Sequence, residues 1–424
     1  MQKKSLYPSV CKSLFSLSSH SIVNQYKGIK SNNFKNLLFQ INHLIMNIIV
    51  LGAGLVGAPL AIDLAKENKF HVTVADIKGE ALNKLKTHRK IHTVRADLSQ
   101  SETIRSVVRD HDMVVGAVPG FMGYRCVEAV IEERKDMVDI SFFPEDPFRL
   151  DGLARERGVT VLCDMGVAPG MSHVLIGHVN AKLDSLESVR IYVGGLPKVR
   201  KWPWGYKAVF SPADVIEEYT RPARLIEDGH LVVKPALSDP EIITFPVVGE
   251  LEAFNSDGLR SLLRTVKAPW MTEKTLRYKG HLEKIAVLRD SGFFNTEEIE
   301  INGRRVSPRD VTAGILFPQW TMKDSDEDMT VMKIIIEGRK GDKRLRYTYD
   351  LLDEYDRGTH IHSMARTTGY TATMAVRMLA RGLYRRKGIS PPEYVGEDDR
   401  CVAFMIKGLQ ERGIIYKEEV TELI

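Results

Sequence analysis

Two groups of residues in this chain have types and spacing that could do chemistry. The first is Gly52-Ala53-Gly54-Leu55-Val56-Gly57, a G-x-G-x-x-G run, with Asp76 beyond it. Gly52 permits a tight turn, Gly54 leaves the approach of a diphosphate unobstructed, and Gly57 lets a helix pack closely on the preceding strand. Phosphate oxygens then meet free N–H groups and the positive end of a helix. Leu55 and Val56 complete the turn. A carboxylate at Asp76 accepts hydrogen bonds from both ribose hydroxyls and repels a 2′-phosphate, so the expected cofactor is NAD rather than NADP, a preference softened by nearby Lys78. Asp97 and Val118, after the next two strand-like runs, are further candidate contacts to the dinucleotide.

The second group is charged residues that could anchor a carboxylate and move a proton. Arg277, Lys279 and His281 alternate on a predicted strand, so all three side chains share one face. Arg277 suits bidentate binding of a carboxylate, Lys279 adds charge beside it, and His281 titrates near neutrality as a base. Asp164 and Asp139 end two strands at the mouth of a cleft, where a desolvated carboxylate accepts a proton. Tyr206 and Phe210 are candidates to line the substrate pocket. His360 and His362 flank Ile361 without an accompanying cysteine or carboxylate cluster, so no metal site is expected.

These residues need elements to hold them. From Met46 onward short apolar runs alternate with helical stretches: Asn47–Leu51, Phe70–Ala75, His92–Arg95, Met113–Ala117, Met137–Ile140 and Val159–Cys163 read as strands. Such runs suit a parallel sheet buried on both faces. The glycine run follows the first of them and opens a helix, the context that gives the motif its meaning. Beyond Asp164, Arg190–Val193, Ile242–Val248, Leu276–Lys279 and Glu298–Ile301 read as antiparallel strands, Asn302-Gly303 as a hairpin turn, and Val331–Glu337 with Arg344–Leu351 as a long hairpin. Thr373–Leu383 and Val402–Arg412 read as helices. The expected class is α/β: an N-terminal Rossmann domain over residues 46–168 with a parallel sheet, then an α+β domain over 169–424 with a mixed, largely antiparallel sheet.

Composition narrows the partners. The net charge is +5, but residues 1–45 carry six lysines and no acid, which leaves 54 basic against 55 acidic residues in the remainder. No nucleic-acid partner is expected, and no apolar run is long enough for a membrane helix. The segment 1–45 reads either as a leader or as an extension before a start at Met46. The four cysteines are widely separated, as free thiols in a reducing compartment are. A cytoplasmic protein is expected, or an organellar one if the leader is genuine.

The blocks Cys163-Asp164-Met165-Gly166-Val167-Ala168-Pro169-Gly170-Met171, Gly194-Gly195-Leu196-Pro197, Tyr206 through Pro212, Thr275 through Glu283, Ile301 through Asp310 and Met364 through Tyr370 follow one another in order. From Met46 to its end the chain resembles the saccharopine dehydrogenase family, and within it most the lysine 6-dehydrogenase branch, which carries V-A-P-G where saccharopine reductases have L-D-P-G. The resemblance implies a second domain that holds the substrate and builds a homodimer or higher homo-oligomer, with the last helices returning toward the Rossmann domain. The implied activity is NAD-dependent oxidation of a lysine-like primary amine. Two alternatives stand beside it: a saccharopine-type enzyme on a secondary amine, and an NAD-binding protein without catalysis. The stretches Pro119–Gly123 and Ser141–Asp146 depart from lysine 6-dehydrogenase where loops face the nicotinamide, which leaves room for a different substrate.

Overall fold

The computed structural model describes residues 45–208, 212–323 and 325–424; the leader segment, apart from its last residue, and the candidate Phe210 lie outside them. The first part alternates strands β1 (Met46–Leu51), β2 (Phe70–Asp76), β3 (Ile91–Arg95), β4 (Met113–Gly116), β5 (Asp136–Asp139) and β6 (Thr160–Leu162) with helices α1 (Gly57–Leu64), α2 (Gly79–Leu85), α3 (Ser101–Val108), α4 (Gly120–Glu132) and α5 (Asp151–Arg157). Ile48 through Leu51 are fully buried. Helices cover both faces of the sheet, so these strands carry continuous apolar runs rather than alternation.

The second part begins with α6 (Met171–Lys182), β7 (Ser185–Pro197), α7 (Pro212–Thr220), β8 (Ala223–Glu227), β9 (His230–Lys234), β10 (Glu241–Phe245) and β11 (Gly249–Asn255). It continues through α8 (Leu262–Thr265), β12 (Trp270–Tyr278), α9 (His281–Asp290), β13 (Ile299–Ile301), β14 (Arg304–Val306) and α10 (Pro308–Trp320). It ends with β15 (Asp328–Lys340), β16 (Lys343–Glu354), α11 (Ser363–Ala380), β17 (Gly388–Ser390), α12 (Pro392–Gly396), α13 (Asp399–Gln410) and β18 (Tyr416–Leu423).

Among the described residues there is a seven-stranded sheet in the order β17-β6-β5-β4-β1-β2-β3, with β17–β6, β6–β5, β5–β4, β4–β1 and β2–β3 paired in parallel. The order reverses between β1 and β4, and a crevice opens at their carboxyl ends, where such sheets bind ligands. The seventh strand is β17, contributed from near the C-terminus. A nine-stranded sheet runs β10-β11-β12-β7-β15-β16-β18, with β8 and β9 branching from β12. It is antiparallel apart from β7 and β12. Parallel-sheet Rossmann domain and mixed second domain are both as the sequence led us to expect.

Two sequence readings change and one holds. The strand expected over Leu276–Lys279 starts at Trp270 and stops at Tyr278, because Gly280 adopts φ +84° and begins α9. Helices α7, α9 and α10 had no counterpart in the reading, since their apolar positions face an aromatic cluster of Tyr206, Tyr219, Phe254 and Trp320 rather than forming a plain aliphatic stripe. The hairpin β13–β14 does turn at Asn302-Gly303, both at positive φ, as a two-residue turn of this kind requires. Among the described residues no helix is long and apolar enough to cross a membrane.

Helix α1 is tied to the C-terminal helices by one carboxylate. Asp63 is 1% exposed and accepts hydrogen bonds from Arg377 Nη1 (2.8 Å), Arg412 Nε (3.0 Å) and Thr373 Oγ1 (2.7 Å). Burial raises the pKa of this carboxyl, but Arg377, Arg412 and the Thr373 bond outweigh burial and hold it below the ordinary value. Its stabilising effect is therefore complete above the unfolded-state pKa of about 3.9 and is lost as pH falls through the lowered folded-state pKa. Asp63→Asn leaves Arg377 without its buried charge partner and is expected to cost about 3–5 kcal/mol in denaturant unfolding at pH 7.

Candidate active site

The turn between β1 and α1 is shaped by close contacts. A Cβ on Gly52, at φ +113°, would lie 2.4 Å from the Ala117 carbonyl oxygen, and one on Gly57 would lie 2.2 Å from the Gly52 carbonyl oxygen. Neither position admits a side chain. A Cβ on Gly54 meets nothing within 4 Å, so its bare backbone faces open space. Leu55 and Val56 flank that space and Val118 closes it from β4. The arrangement fits a diphosphate laid against the start of α1.

Asp76 ends β2 beside this turn. Its Oδ2 accepts from Ala53 N–H and its Oδ1 from Lys78 N–H, both at 2.7 Å. The carboxylate thus staples the glycine turn to β2, with each oxygen already engaged once. Asp97 is likewise drawn into a local turn, accepting from Ser99 N–H and Oγ, bonds that lower its pKa. Both acids line the cavity, as do Lys78 and Lys84.

That cavity, 1500 Å³ in volume, continues from the glycine turn to the walls of the second sheet and brings Asp164, Tyr206 and Arg277 to the same space as the dinucleotide candidates. Asp164 follows β6 at φ +55° and is 4% exposed. Its two oxygens bind Arg260 side-on, at 3.1 Å to Nε and 3.2 Å to Nη2. The Arg260 guanidinium also lies 4.7 Å from the Phe142 ring centroid. The pair joins the end of β6 to the loop after β11.

Other sequence candidates are placed differently. Asp139 is fully buried, held by Ser141 N–H (2.9 Å) and Ser141 Oγ (3.0 Å), and does not line the cavity. Burial pushes its carboxyl well above the ordinary range, and it is sealed in beside Gly116 of β4, which has no side chain to displace it. His281 sits in the first turn of α9, off the cavity wall. Burial, and then the charge of Arg277, push its pKa down to about 3. The imidazole is therefore neutral, donating from Nδ1 to the Trp204 carbonyl (3.0 Å) and accepting at Nε2 from the Tyr219 hydroxyl (2.9 Å). A base working near neutrality is not available there. Lys279 lies past the end of β12, with a 66% exposed side chain, 3.7 Å from Glu250.

Arg277 does line the cavity, but each guanidinium nitrogen already donates: Nε to Tyr219 Oη (3.1 Å), Nη1 to the Leu276 carbonyl (2.9 Å) and Nη2 to Glu218 (2.6 Å). It also stacks 4.7 Å from the Tyr206 ring centroid. The fork expected to grip a substrate carboxylate is thus largely occupied. Arg221, on the turn after α7, fits that task better. It lines the same cavity, its Nη1 is buried without a hydrogen-bond partner, and its guanidinium lies 5.3 Å from the Phe142 ring centroid. A buried donor left unpaired carries a free-energy cost that an incoming carboxylate removes.

Glu273 was also missed. It shares a face of β12 with Thr275 and Arg277, all three reaching the cavity. Extending the alternation of charged residues four positions upstream of Arg277 would have found it. Arg221 gave no such signal, because α7 itself was not legible.

Residues 48–162 match the family described as saccharopine dehydrogenase NADP binding domain, and residues 166–414 match the saccharopine dehydrogenase C-terminal domain. The chain is 27% identical over 266 residues to the saccharopine dehydrogenase [NADP(+), L-glutamate-forming] of Pyricularia oryzae, covering 59% of each protein. It is 26% identical over 324 residues to the alpha-aminoadipic semialdehyde synthase of Arabidopsis thaliana, covering 66% of this chain and 30% of that one. The chain therefore aligns with well under two thirds of either relative. The apo saccharopine dehydrogenase (L-Glu forming) from Saccharomyces cerevisiae superposes with a TM-score of 0.73 at 20% identity, over 89% of this chain and 100% of that one, which establishes a common fold. These matches overturn the expectation of NAD: the N-terminal family and the Pyricularia oryzae relative are both described by NADP. The Asp76 carboxylate does not decide against a 2′-phosphate as expected, since both its oxygens are already turned to backbone N–H groups.

The glycine turn separates folding from binding. Gly54→Val meets no protein atom, so its unfolding midpoint is expected to match wild type while dinucleotide affinity, read by fluorescence titration, falls at least tenfold, or about 1.4 kcal/mol. Gly57→Val forces the turn apart and is expected to lower stability by about 1–3 kcal/mol as well.

Proposed function

The chain belongs to the saccharopine dehydrogenase family, and on that premise we propose that it is an NADP-dependent oxidoreductase acting at the C–N bond of an amino acid. The observation that carries the reading is the single cavity running from the glycine turn to Arg221 and Arg277, long enough to place a dinucleotide and an amino acid end to end. Bound NADP would supply the hydride donor or acceptor. The chain's own residues bind, orient and shield. Gly52, Gly54 and Gly57 would seat the diphosphate, and Lys78 and Lys84, at the Asp76 end, would face a 2′-phosphate. Val118 and Phe142, at the ends of β4 and β5, would border the nicotinamide and keep water from it. Arg221 would anchor the amino-acid carboxylate, with the Phe142 ring holding its guanidinium flat. Asp164, paired with Arg260, would fix the two walls of the cleft at a set separation.

The preferred substrate is saccharopine-like, a secondary amine joining an amino acid to an oxo-acid skeleton, the substrate named for the saccharopine dehydrogenase of Pyricularia oryzae. A lysine-like primary amine is the second reading. It is favoured by Asp214, Glu217 and Glu218 on the same wall as Arg221, which suit a substrate carrying a free ammonium. The Val167-Ala168-Pro169-Gly170 sequence points the same way.

Purified protein is expected to reduce NADP⁺ with saccharopine, or to oxidise NADPH with an amino acid and an aldehyde or oxo-acid partner, at a rate at least tenfold above that with the unphosphorylated dinucleotide. Turnover with lysine alone would select the second reading, and dinucleotide binding with no turnover on any amine would leave a non-catalytic protein. Arg221→Met should raise KM for the amino acid at least tenfold and leave NADPH affinity unchanged.

A further inference from the structure

The oxidation of an amine needs a group that takes the ammonium proton before the C–H bond can give up its electron pair. We infer that Glu273 is this group, exchanging a proton with the substrate nitrogen inside the cavity. The inference rests on the oxidoreductase reading and adds the residue that handles the proton.

Glu273 is 4% exposed, faces the cavity from the middle of β12, and makes no ion pair among the described residues. Its Oε2 is fixed by Ser256 Oγ at 2.6 Å and by Gly258 N–H at 3.1 Å. Ser256 Oγ in turn meets Thr275 Oγ1 at 2.7 Å. Gly258 has no side chain because a Cβ there would lie 2.4 Å from the Glu273 carboxyl carbon, so the loop after β11 closes directly over the carboxyl. The same loop carries Arg260 to Asp164 at the end of β6. Glu273 is thereby held near the carboxyl edge of the first sheet, where a nicotinamide docks.

The charges that face it are of its own sign. Glu218 on α7 and Asp257 after β11 both disfavour its ionised form, while Arg277, two places along the same face from Thr275, is tied to Glu218. Burial is the larger effect, and together they push the pKa of the Glu273 carboxyl up to about 7, against the partial opposition of Ser256 and Gly258. Such a carboxyl both accepts and returns a proton at neutral pH. Asp164 across the cavity is bound by Arg260, Asp139 is sealed away, and His281 is off the wall.

The balance is as follows. The Glu273 carboxylate takes one proton from the substrate R₂CH–NH₂⁺R′, where R′ is hydrogen or carbon. The nitrogen lone pair so released becomes the second bond of C=N as the C–H bond breaks and its electron pair passes to NADP⁺. The amine carbon is oxidised to an iminium, the cofactor is reduced to NADPH, and Glu273 is left protonated. In the reverse direction the same carboxyl returns that proton.

The test uses full-length Glu273→Gln, with NADPH affinity as the check on folding. In wild type, kcat/KM should fall as pH drops below about 7, because the carboxylate fraction falls. In the variant kcat should drop about 10²- to 10⁴-fold and that acid limb should vanish. Without cofactor or substrate, the infrared difference spectrum between acid and alkaline pH should show a larger protonated-carboxyl signal in wild type than in the variant, leaving one carboxyl band when the variant's spectrum is subtracted. Glu393, the other buried carboxyl pushed to about 7, contributes equally to both and cancels. Should Glu273→Gln fail to fold, Ser256→Ala keeps the carboxyl but removes a bond to its charged form, and should move the acid limb to higher pH. An active wild type matched in rate and pH profile by Glu273→Gln, or a limb unmoved in Ser256→Ala, overturns this role alone. A wild type that turns over no amino acid overturns the oxidoreductase reading and this role with it.

Discussion

The structure depends on one steric constraint: the Ala117 carbonyl approaches Gly52, and the Gly52 carbonyl approaches Gly57, so closely that neither glycine can carry a side chain. That approach brings the end of β4 beside the start of α1 and leaves backbone N–H groups exposed where the strand order reverses. The glycines serve packing at positions 52 and 57, and only at position 54 is the absent side chain a matter of ligand space. Asp76 belongs to the same construction. By accepting one N–H from the turn and one from the chain beyond β2, it fixes the geometry of the groove before any ribose arrives.

Across the cleft the controlling physics is desolvation. Both halves bury carboxylates, and what distinguishes them is whether a cation answers the cost of burial. Asp63 and Asp164 have guanidinium partners and are structural clamps. Glu273 has only hydrogen bonds and neighbours of like charge, so the proton is its remaining counter-ion. Arg277 and Arg221 divide along similar lines: the first is saturated by Glu218, Tyr219 and a carbonyl, and the second keeps a buried nitrogen for something else.

What the sequence made legible follows from this division. Local steric demands leave a mark at fixed spacing, which is why the glycine run, the Asp76 strand end, the Asn302-Gly303 turn and the parallel-strand series could be read directly. Long-range electrostatics leave none. Nothing in the residues near Arg277 announces that Glu218, some sixty positions away, occupies its fork, or that His281 is enclosed by Trp204 and Tyr219. The period-two reading of Arg277, Lys279 and His281 failed at a single residue, Gly280, whose left-handed conformation converts strand to helix and sends the three side chains in different directions. Cofactor choice was misjudged for a related reason: a carboxylate at the end of β2 was read as reaching outward, whereas its oxygens are turned to the backbone.

The strand β17 pairs with β6, yet it is separated from it in sequence by every strand of the nine-stranded sheet except β18. A chain emerging from the ribosome therefore cannot finish its first sheet until nearly all of the second has been made, and the outer side of β6 remains an unsatisfied row of amides and carbonyls throughout that interval. The two halves are thus coupled in biosynthesis. The nucleotide-binding half cannot be regarded as a free-standing module to be cut at the end of β6, because its last strand travels with the other half.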